Sequence, residues 1–402
     1  MTPRAASPAM TPPPADGEVP TVKQRAALAA RLLSGIEGSF AHWEAVPELN
    51  FDAAFDGYLD EALAAETRLA FVLATQRLMA QLRNGHTGFH DDWVMRRHGR
   101  SFGLVLRPVT GQWTVTVSRH ADLPVGSVAE RIDGVPMAEV FARCRPFLAA
   151  SSDRAAANTL FYGRHLLPET ISLGLEGGRE VSVAKADWPP LERPLPAIRH
   201  VGGIAVLSIL SFDDPRFEAA TVEAVRALDR GAPLIIDLRG NGGGNTPLAL
   251  MAALMDRPYR RWRSTVLGTT TLRRAHGERP EPVVFDAPRH DPQSDAHRGR
   301  VAILVDGTVG SAAEDFVMPF KDNGRAVLVG ETTAGSSGQP HVIDLGAGFR
   351  AWIGAKRESF PDGRTFEGVG IAPDVEIVQQ PADLREGQDR VLNEALAILP
   401  SQ

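Results

Sequence analysis

The chain contains one cysteine, Cys144, among its 402 residues. A single cysteine excludes an intrachain disulfide and a metal site built from a cysteine cluster. Cys144 lies in the stretch MAEVFARCRPF, which is apolar and has helical spacing. We therefore expect Cys144 to fill a hydrophobic core rather than to act as a catalytic thiol.

Strong net charge and long apolar runs are also missing. A net charge of -6 with 43% hydrophobic residues favours a globular chain with a large core and argues against nucleic acid as a partner. No apolar run reaches the roughly 18 residues that a membrane span needs. Residues 1–21 are rich in proline and alanine and lack the apolar segment of a signal peptide. They predict a disordered lead and a cytoplasmic protein, although a mis-assigned start would hide an export signal equally well.

Three units follow along the chain. Residues 22–95 predict a helical N-terminal domain, because apolar residues recur at three- and four-residue spacing until Asn84-Gly85 ends the helix. Residues 100–185 predict a β-rich module with an Asp-Gly turn before a helix and a hairpin at Gly177-Gly178. A proline-rich linker is expected at residues 189–196.

Residues 199–402 predict an α/β domain. Apolar segments such as PLIIDLR and VAILVD alternate with helical patterns, which is typical of a parallel sheet covered on both faces. A polar, proline-rich loop is expected near residues 273–300. Homo-oligomerisation stays open, because nothing in this pattern decides it.

Ser311 follows the buried strand VAILVD and a glycine-containing turn, and it opens the helical segment SAAEDFVMPF. Ligands bind at the carboxyl edge of open α/β sheets. A helix N-terminus there offers free N–H groups and positive potential to an oxyanion. These features suit a nucleophile, whereas the simpler alternative is a serine that only caps the helix.

A glycine run follows the other buried strand, in the sequence IIDLRGNGGG. Its backbone can approach a ligand closely, and its exposed N–H groups can hold an anion. The segment lacks the Gly-Lys-Ser/Thr of a P-loop and the spacing of a dinucleotide fingerprint. A binding role is expected, with phosphate binding and a plain loose turn as alternatives.

Two further residues are candidates for the site because of the loops in which they lie. His86 lies in LRNGHTGFH, in a tight turn after a helix. A lone histidine is more often structural, and His90 is the nearest competitor among 11 histidines. Glu367 lies in the glycine-rich loop TFEGVGIAPD. It is either a solvated carboxylate or the group that orients a distant base.

The ordered motifs DLRGNGGG, GSAAEDF, KDNGRAVLVGETTAG and FEGVGIAPDVEI resemble the S41 peptidases. This family includes the tail-specific, or carboxyl-terminal processing, proteases and the tricorn-like core proteases. The resemblance spans about residues 35–398 and implies a ClpP/crotonase-like spiral of ββα units, with the module at 100–185 resembling a PDZ domain. It further implies an ATP-independent serine peptidase with a polypeptide substrate, without a metal or an organic cofactor.

The resemblance also implies site residues. In the tail-specific branch a lysine follows the Gly-Glu-x-Thr-x-Gly stretch, but Ser336 stands at that position here. LRNGHTGF resembles the tricorn-like branch, in which a histidine is the base. The implied roles are nucleophile for Ser311, base for His86, orienting acid for Glu367, and an oxyanion hole of backbone N–H groups from Gly242, Gly243 and Ala312.

One connection in this assignment is open. The serine that precedes the base in tricorn corresponds to Gly85 here, which carries no side chain. A water molecule, Thr87 or Ser336 could bridge His86 to Glu367, and the sequence does not decide among them.

Two other functions are kept as alternatives. Some S41-like scaffolds resemble the enzymes but bind apolar ligands or peptides, and a Ser311 hydroxyl well beyond hydrogen-bond reach of the His86 ring would favour that function. A crotonase-like acyl-thioester enzyme would share the spiral fold but would not need Ser311. In the module at 100–185, the loop 101–104 is either a peptide-binding loop or part of a structural spacer.

Overall fold

The computed structural model describes residues 17–189, 192–268, 275–277 and 280–399. Residues 1–16 of the predicted disordered lead, 1–21, lie outside the described residues. So do positions 190 and 191 of the expected linker. The lead ends at Thr21, whose hydroxyl accepts the N–H of Gln24 and so caps the first helix.

The N-terminal unit is mainly helical, as the spacing of its apolar residues predicts. Helix α3 ends at Gln81, and the left-handed residue that follows is Arg83, with φ of 47°. The expectation that Asn84-Gly85 ends the helix is therefore wrong by two residues. The elements are α1 (Val22–Ser39), a 3-10 helix (Trp43–Ala45), α2 (Phe51–Ala64), α3 (Arg68–Gln81), β1 (Gly88–Asp91) and α4 (Asp92–His98).

The core of this unit is completed by a distant part of the chain. Strand β1 pairs antiparallel with β18 (Phe349–Gly354), which forms a hairpin with β17 (Pro340–Gly346). Phe89 stacks on Phe349 with 5.8 Å between ring centroids. The helices thus bury their apolar faces against strands that the sequence assigns to the C-terminal unit, and the domain boundaries at 22–95 stay a prediction.

The β-rich module has two small antiparallel sheets. The predicted turns at Asp133-Gly134 and Gly177-Gly178 are confirmed, with positive φ at each position. Cys144 is buried and unpaired, as expected for a core residue. The elements are β2 (Leu104–Val109) with β3 (Gln112–Ser118), the sheet β5 (Val135–Pro136), β4 (Ala129–Ile132), β6 (Thr170–Leu175) and β7 (Glu180–Ala184), helices α5 (Met137–Cys144) and α6 (Asp153–Thr159), and 3-10 helices at Arg145–Phe147, Leu160–Tyr162 and Arg164–Leu166.

The loop 101–104 of this module lies against Trp188. Its Gly103 N–H donates to the Ser101 hydroxyl at 3.0 Å. A Cβ placed on Gly103 would lie 2.5 Å from the ring of Trp188, so the indole covers the loop. The likeness of the module to a PDZ domain stays a prediction.

The C-terminal unit is built on a six-stranded sheet, and the expected parallel sheet covered on both faces is confirmed. Five strands run parallel, and the edge strand β8 is antiparallel. The strand order is β20 (Val375–Glu376), β16 (Ala326–Gly330), β15 (Val301–Val305), β10 (Leu234–Asp237), β9 (Ile204–Ser208) and β8 (Ile198–Val201).

Helices cover both faces of this sheet. One face packs against α7 (Pro215–Ala227), α8 (Leu248–Leu254) and α9 (Ala312–Asp322), and the other against α11 (Arg390–Ile398). Helix α10 (Pro381–Glu386) precedes α11. The loops after β10, β15 and β16 meet at the carboxyl edge of the parallel strands, which is where such sheets place their sites.

The predicted loop at 273–300 contains two strands. They lie in the pair β11 (Tyr259–Arg260) with β14 (Arg289–His290), and in the sheet β13 (Glu281–Phe285), β12 (Arg263–Gly268) and β19 (Lys356–Ser359). All five residues of β13 are exposed. Because the strand buries neither face, its sequence carries no alternation between apolar and polar residues.

Candidate active site

Ser311 stands at the start of α9 in a strained backbone conformation. Its φ of 53° and ψ of −127° lie where non-glycine residues are rarely found, at a cost of about 1–3 kcal/mol. Its hydroxyl caps no N–H of the helix. The capping alternative is therefore wrong, and the side chain is available to the open edge of the sheet.

The hydroxyl of Ser311 lies 3.0 Å from Nε2 of His86. This contact joins residues 225 positions apart, and the pairing of β1 with β18 connects the segment after His86 to the C-terminal part of the chain. The competing histidine, His90, instead pairs with Asp92 at 2.8 Å. The structure thus brings together the two residues that the sequence nominates as nucleophile and base.

The turn that carries His86 is held by its neighbours. Asn84 Oδ1 accepts the His86 N–H and the Thr87 hydroxyl, each at 3.0 Å. The Thr87 hydroxyl in turn accepts the N–H of Gly354 at 3.0 Å. Thr87 is therefore engaged in fixing the turn and does not lie between His86 and Glu367.

Ser336 occupies the place between His86 and Glu367. Its hydroxyl lies 3.1 Å from His86 Nδ1 and donates to Glu367 Oε1 at 3.2 Å. A Cβ at Gly85 would lie 2.5 Å from the Ser336 hydroxyl oxygen. The hydroxyl of Ser336 thus fills the space that a side chain at position 85 would need.

Glu367 is buried, and its two carboxyl oxygens differ in their hydrogen bonding. Oε1 accepts hydrogen bonds from Asn84 Nδ2 at 2.8 Å, from the Ser336 hydroxyl and from the Ser151 hydroxyl. Oε2 is buried and has no hydrogen-bond partner among the described residues. Burial raises the pKa of Glu367 to about 7, although the hydrogen bonds from Ser151 and Ser336 act in the opposite direction.

The pKa of His86 is shifted downward. Burial of the ring is the main cause, the nearby Asp315 opposes it, and Lys356 reinforces it. A neutral imidazole is therefore favoured at neutral pH, and its Nε2 can accept a proton from Ser311.

Glu314 fixes the loop that carries Ser336. Its carboxyl oxygens accept the N–H groups of Gly335 at 2.8 Å and Ser336 at 3.0 Å, and the hydroxyl of Thr333. The residue is completely buried, and burial raises its pKa to about 8. Glu314 belongs to the motif GSAAEDF, but the sequence gives no sign that it holds a loop.

The three predicted oxyanion-hole residues differ in their backbone bonding. The Gly243 N–H already donates to Asn241 Oδ1 at 2.9 Å. Gly243 has φ of 105°, and a Cβ there would lie 2.7 Å from the Cβ of Ser311. The N–H groups of Gly242 and Ala312 donate to no group in the described parts of the chain, so they are open to a ligand.

Two residues of the site escape the sequence reasoning. Asn84 lies within the motif LRNGHTGF, where a buried amide could have been suspected from its position before the histidine. Ser151 lies in the module at 100–185, and no local pattern marks it. Each donates to Glu367.

Within the described ranges, no three His, Cys, Asp or Glu side chains are grouped as a metal site would require. None of the described helices combines the length and the apolarity needed to cross a bilayer.

Residues 203–377 match the sequence profile of Peptidase family S41. The chain is 30% identical over 165 residues to the chloroplastic C-terminal processing peptidase of Tetradesmus obliquus, covering 40% of this chain and 32% of that protein. It is 23% identical over 203 residues to the carboxy-terminal-processing protease of Bartonella bacilliformis, covering 49% and 44%. The matched region thus spans less than half of either relative.

The fold is also similar to that of a solved structure. Mature CPAF complexed with lactacystin superposes with a TM-score of 0.73 at 15% identity, covering 94% of this chain and 97% of that chain. The family match and this similarity confirm the resemblance that the motifs indicate: residues 203–377 match the S41 peptidase family, and the chain has a mixed α/β fold similar to that of S41 peptidase structures.

Proposed function

We propose that this chain, with its S41 peptidase domain, hydrolyses peptide bonds through Ser311 as nucleophile and His86 as base. The observation that supports this most strongly is an unbroken series of hydrogen bonds from the Ser311 hydroxyl through His86 and Ser336 to Glu367. Its three distances are 3.0, 3.1 and 3.2 Å. Every bond in the series can have the polarity that proton removal from Ser311 requires.

The first half of the reaction begins with the neutral His86 ring. Nε2 takes the proton of Ser311 as the hydroxyl oxygen attacks the scissile carbonyl carbon. Nδ1–H donates to the Ser336 hydroxyl, whose own O–H donates to Glu367. The negative charge of Glu367 then stabilises the imidazolium through one intervening hydroxyl and keeps the ring in the required tautomer.

The oxyanion that forms needs donors close to the nucleophile. The open N–H groups of Gly242 and Ala312 fit that role, and each such donor typically contributes about 3–4 kcal/mol to lowering the barrier. Gly243 contributes differently from the prediction. Its N–H is occupied, but its lack of a side chain allows the glycine loop to lie against Ser311.

The second half regenerates the enzyme. The His86 imidazolium gives its proton to the leaving amine, which departs and leaves an acyl group on Ser311. His86 then takes a proton from a water molecule that attacks this ester. The described groups supply each proton transfer, and the chemistry uses no ATP.

The geometry supports catalysis over the alternative of a binding protein. A separation of 3.0 Å between the Ser311 hydroxyl and the His86 ring is within hydrogen-bond reach. A scaffold that only binds ligands would not need this contact, nor would a crotonase-like enzyme.

The substrate class follows from the family and from its named relatives. Two of them are called C-terminal processing peptidases, and we propose a polypeptide substrate for this chain also. The contact of loop 101–104 with Trp188 gives no direct support to peptide capture by the module. Cytoplasmic location and the oligomeric state stay predictions.

Replacement of Ser311 tests the proposal. Ser311→Ala should abolish hydrolysis of an unfolded protein substrate while leaving the thermal unfolding transition in place. Ser118→Ala, on β3 and away from the site, is the matched control and should retain activity. A fluorophosphonate probe should label the wild type and the control but not Ser311→Ala. Full activity of the Ser311→Ala protein would contradict the proposal.

A further inference from the structure

The Ser151 hydroxyl makes two hydrogen bonds that converge on the proposed catalytic series. It accepts the backbone N–H of Gly85 at 2.9 Å, next to His86 in the chain. It donates to Oε1 of Glu367. One hydroxyl therefore contacts both the turn that carries the proposed base and the carboxylate that would orient it.

We propose that Ser151 is a positioning residue of the peptidase, which sets the orientation and the protonation of Glu367. The inference rests on the proposed function, since it assigns Ser151 a task in that catalytic series. Within the described part of the chain, the Ser151 hydroxyl hydrogen-bonds to Gly85 and Glu367 rather than to Ser311 or the His86 ring, so it acts through Glu367 and through the backbone of Gly85.

The carboxylate depends on its donors for orientation. Three hydrogen bonds reach Oε1 of Glu367, from Asn84, Ser336 and Ser151. Loss of the Ser151 hydroxyl would leave the Gly85 N–H without its partner as well. Because hydrogen bonds to the charged form favour ionisation, the Ser151 hydroxyl holds Glu367 closer to its active, ionised state.

The backbone around Ser151 is rigidly placed against the site. Arg154, three residues on, donates to the carbonyl oxygens of Thr332 at 2.7 Å and Thr333 at 2.5 Å. Asn158 donates to the carbonyl oxygen of Gly307 at 3.0 Å. These bonds connect α6 to the loops that precede Ser336 and Ser311, so Ser151 reaches Glu367 from a fixed platform.

The backbone of Ser151 also lies close to the loop that carries Glu367. A Cβ on Gly368, the residue after Glu367, would lie 2.8 Å from the carbonyl oxygen of Ser151. Gly368 has φ of 75° and donates its N–H to the Gly335 carbonyl at 2.7 Å. The absence of a side chain at position 368 lets the Glu367 loop approach the segment that bears Ser151.

The test compares Ser151→Ala, Ser151→Thr and the control Ser152→Ala in full pH profiles of kcat and KM. Ser152 caps α6 by accepting the N–H of Ala155, so its replacement loosens the same helix without touching Glu367. Ser151→Ala should lower kcat about tenfold or more with KM nearly unchanged. The acidic limb of its pH profile should move to higher pH. Ser151→Thr keeps a hydroxyl and should restore both the kcat and the position of this limb.

Each outcome decides the inference. A Ser151→Ala protein with the wild-type kcat and acidic limb overturns it, and so does a loss of kcat with an unshifted limb, which assigns a merely structural role. If the alanine variant does not fold, Ser151→Cys gives the measurement, since a thiol is a weak donor. An unshifted limb there overturns the inference. Failure of the proposed function is distinct, because Ser311→Ala would then remain active.

Discussion

The backbone N–H of Ser311 donates a 2.8 Å hydrogen bond to the carbonyl oxygen of Ser336. Both side chains of this pair also bond to His86, through its two ring nitrogens. The three residues therefore form a closed ring of contacts in which the backbone fixes the spacing of the two hydroxyls. The loop after β16 and the turn after β15 must move together, so the imidazole keeps both partners.

The first prediction concerns Ser336. Ser336→Ala removes the hydroxyl between His86 Nδ1 and Glu367, so the imidazolium loses its link to the carboxylate charge. We expect kcat to fall about 10²-fold, with KM little changed, in steady-state peptide hydrolysis. The adjacent Ser337→Ala is a suitable control, because the Ser337 hydroxyl donates to Asp315 instead. Equal activity of both variants would remove Ser336 from the mechanism.

The second prediction concerns pH. In the proposed mechanism activity requires ionised Glu367, whose pKa is raised to about 7, and neutral His86, whose pKa is lowered. As pH falls, the carboxylate takes up a proton before the imidazole does, so kcat/KM should fall through about pH 7. In Glu367→Gln, kcat should be lower and the remaining acidic limb should lie below its wild-type position. If the acidic limb of the pH profile lay at the same pH in the wild type and in Glu367→Gln, a group other than Glu367 would be responsible for it.

The third prediction uses the space shared by positions 85 and 336. Gly85→Ser places a Cβ 2.5 Å from the Ser336 hydroxyl oxygen, so the single variant should displace Ser336 and lose most of its activity. Ser336→Gly should also lose activity, because the bridging hydroxyl is gone. The double variant removes the clash and offers a hydroxyl from position 85. Its kcat should exceed that of either single variant. If the two substitutions instead lowered kcat additively, a hydroxyl at position 85 could not replace that of Ser336.

The fourth prediction concerns stability. Burial raises the pKa of Glu314 to about 8, so this carboxyl stays protonated in the folded chain while it ionises in the unfolded chain. The free energy of unfolding should therefore fall as pH rises from about 5 towards 8. Glu314→Gln cannot ionise and should show a shallower fall in denaturant titrations, from a lower starting stability because one N–H acceptor is lost.

An exposed glutamate provides the comparison for that measurement. Glu223 lies on the solvent side of α7, and Glu223→Gln should reproduce the pH dependence of the wild type. If Glu314→Gln also reproduced it, the buried carboxyl would not be the group that couples protonation to folding.

The parallel sheet and the position of Ser311 at its edge could be anticipated because their signals are local. VAILVD is a continuous apolar run, and every residue of β15 is buried. Ser311 follows it at the edge where such sheets bind ligands. Strand β13 could not be found in the same way, since its residues are all exposed and it forms only by pairing with β12.

The sequence limits the residues that could bridge His86 and Glu367 to a few candidates, but it does not identify which one does so. Thr87 and Ser336 are both hydroxyl residues near the motif, and their roles are separated only by tertiary contacts, because the Thr87 hydroxyl is used by Asn84 and Gly354. Ser151 is harder still. It lies 216 residues from Glu367, and a single hydroxyl in a loop has no periodicity or spacing that would mark it.

The pairing of β1 with β18 has a consequence for biosynthesis. His86 is made early and Ser311 much later, but the strand that completes the core of the His86 turn begins only at Phe349. Glu367 follows later again. A nascent chain that has emerged from the ribosome only as far as Ser311 therefore carries the proposed nucleophile without the strand that completes the turn of its proposed base. If the proposed mechanism holds, hydrolytic activity should appear only when synthesis has passed the Glu367 loop.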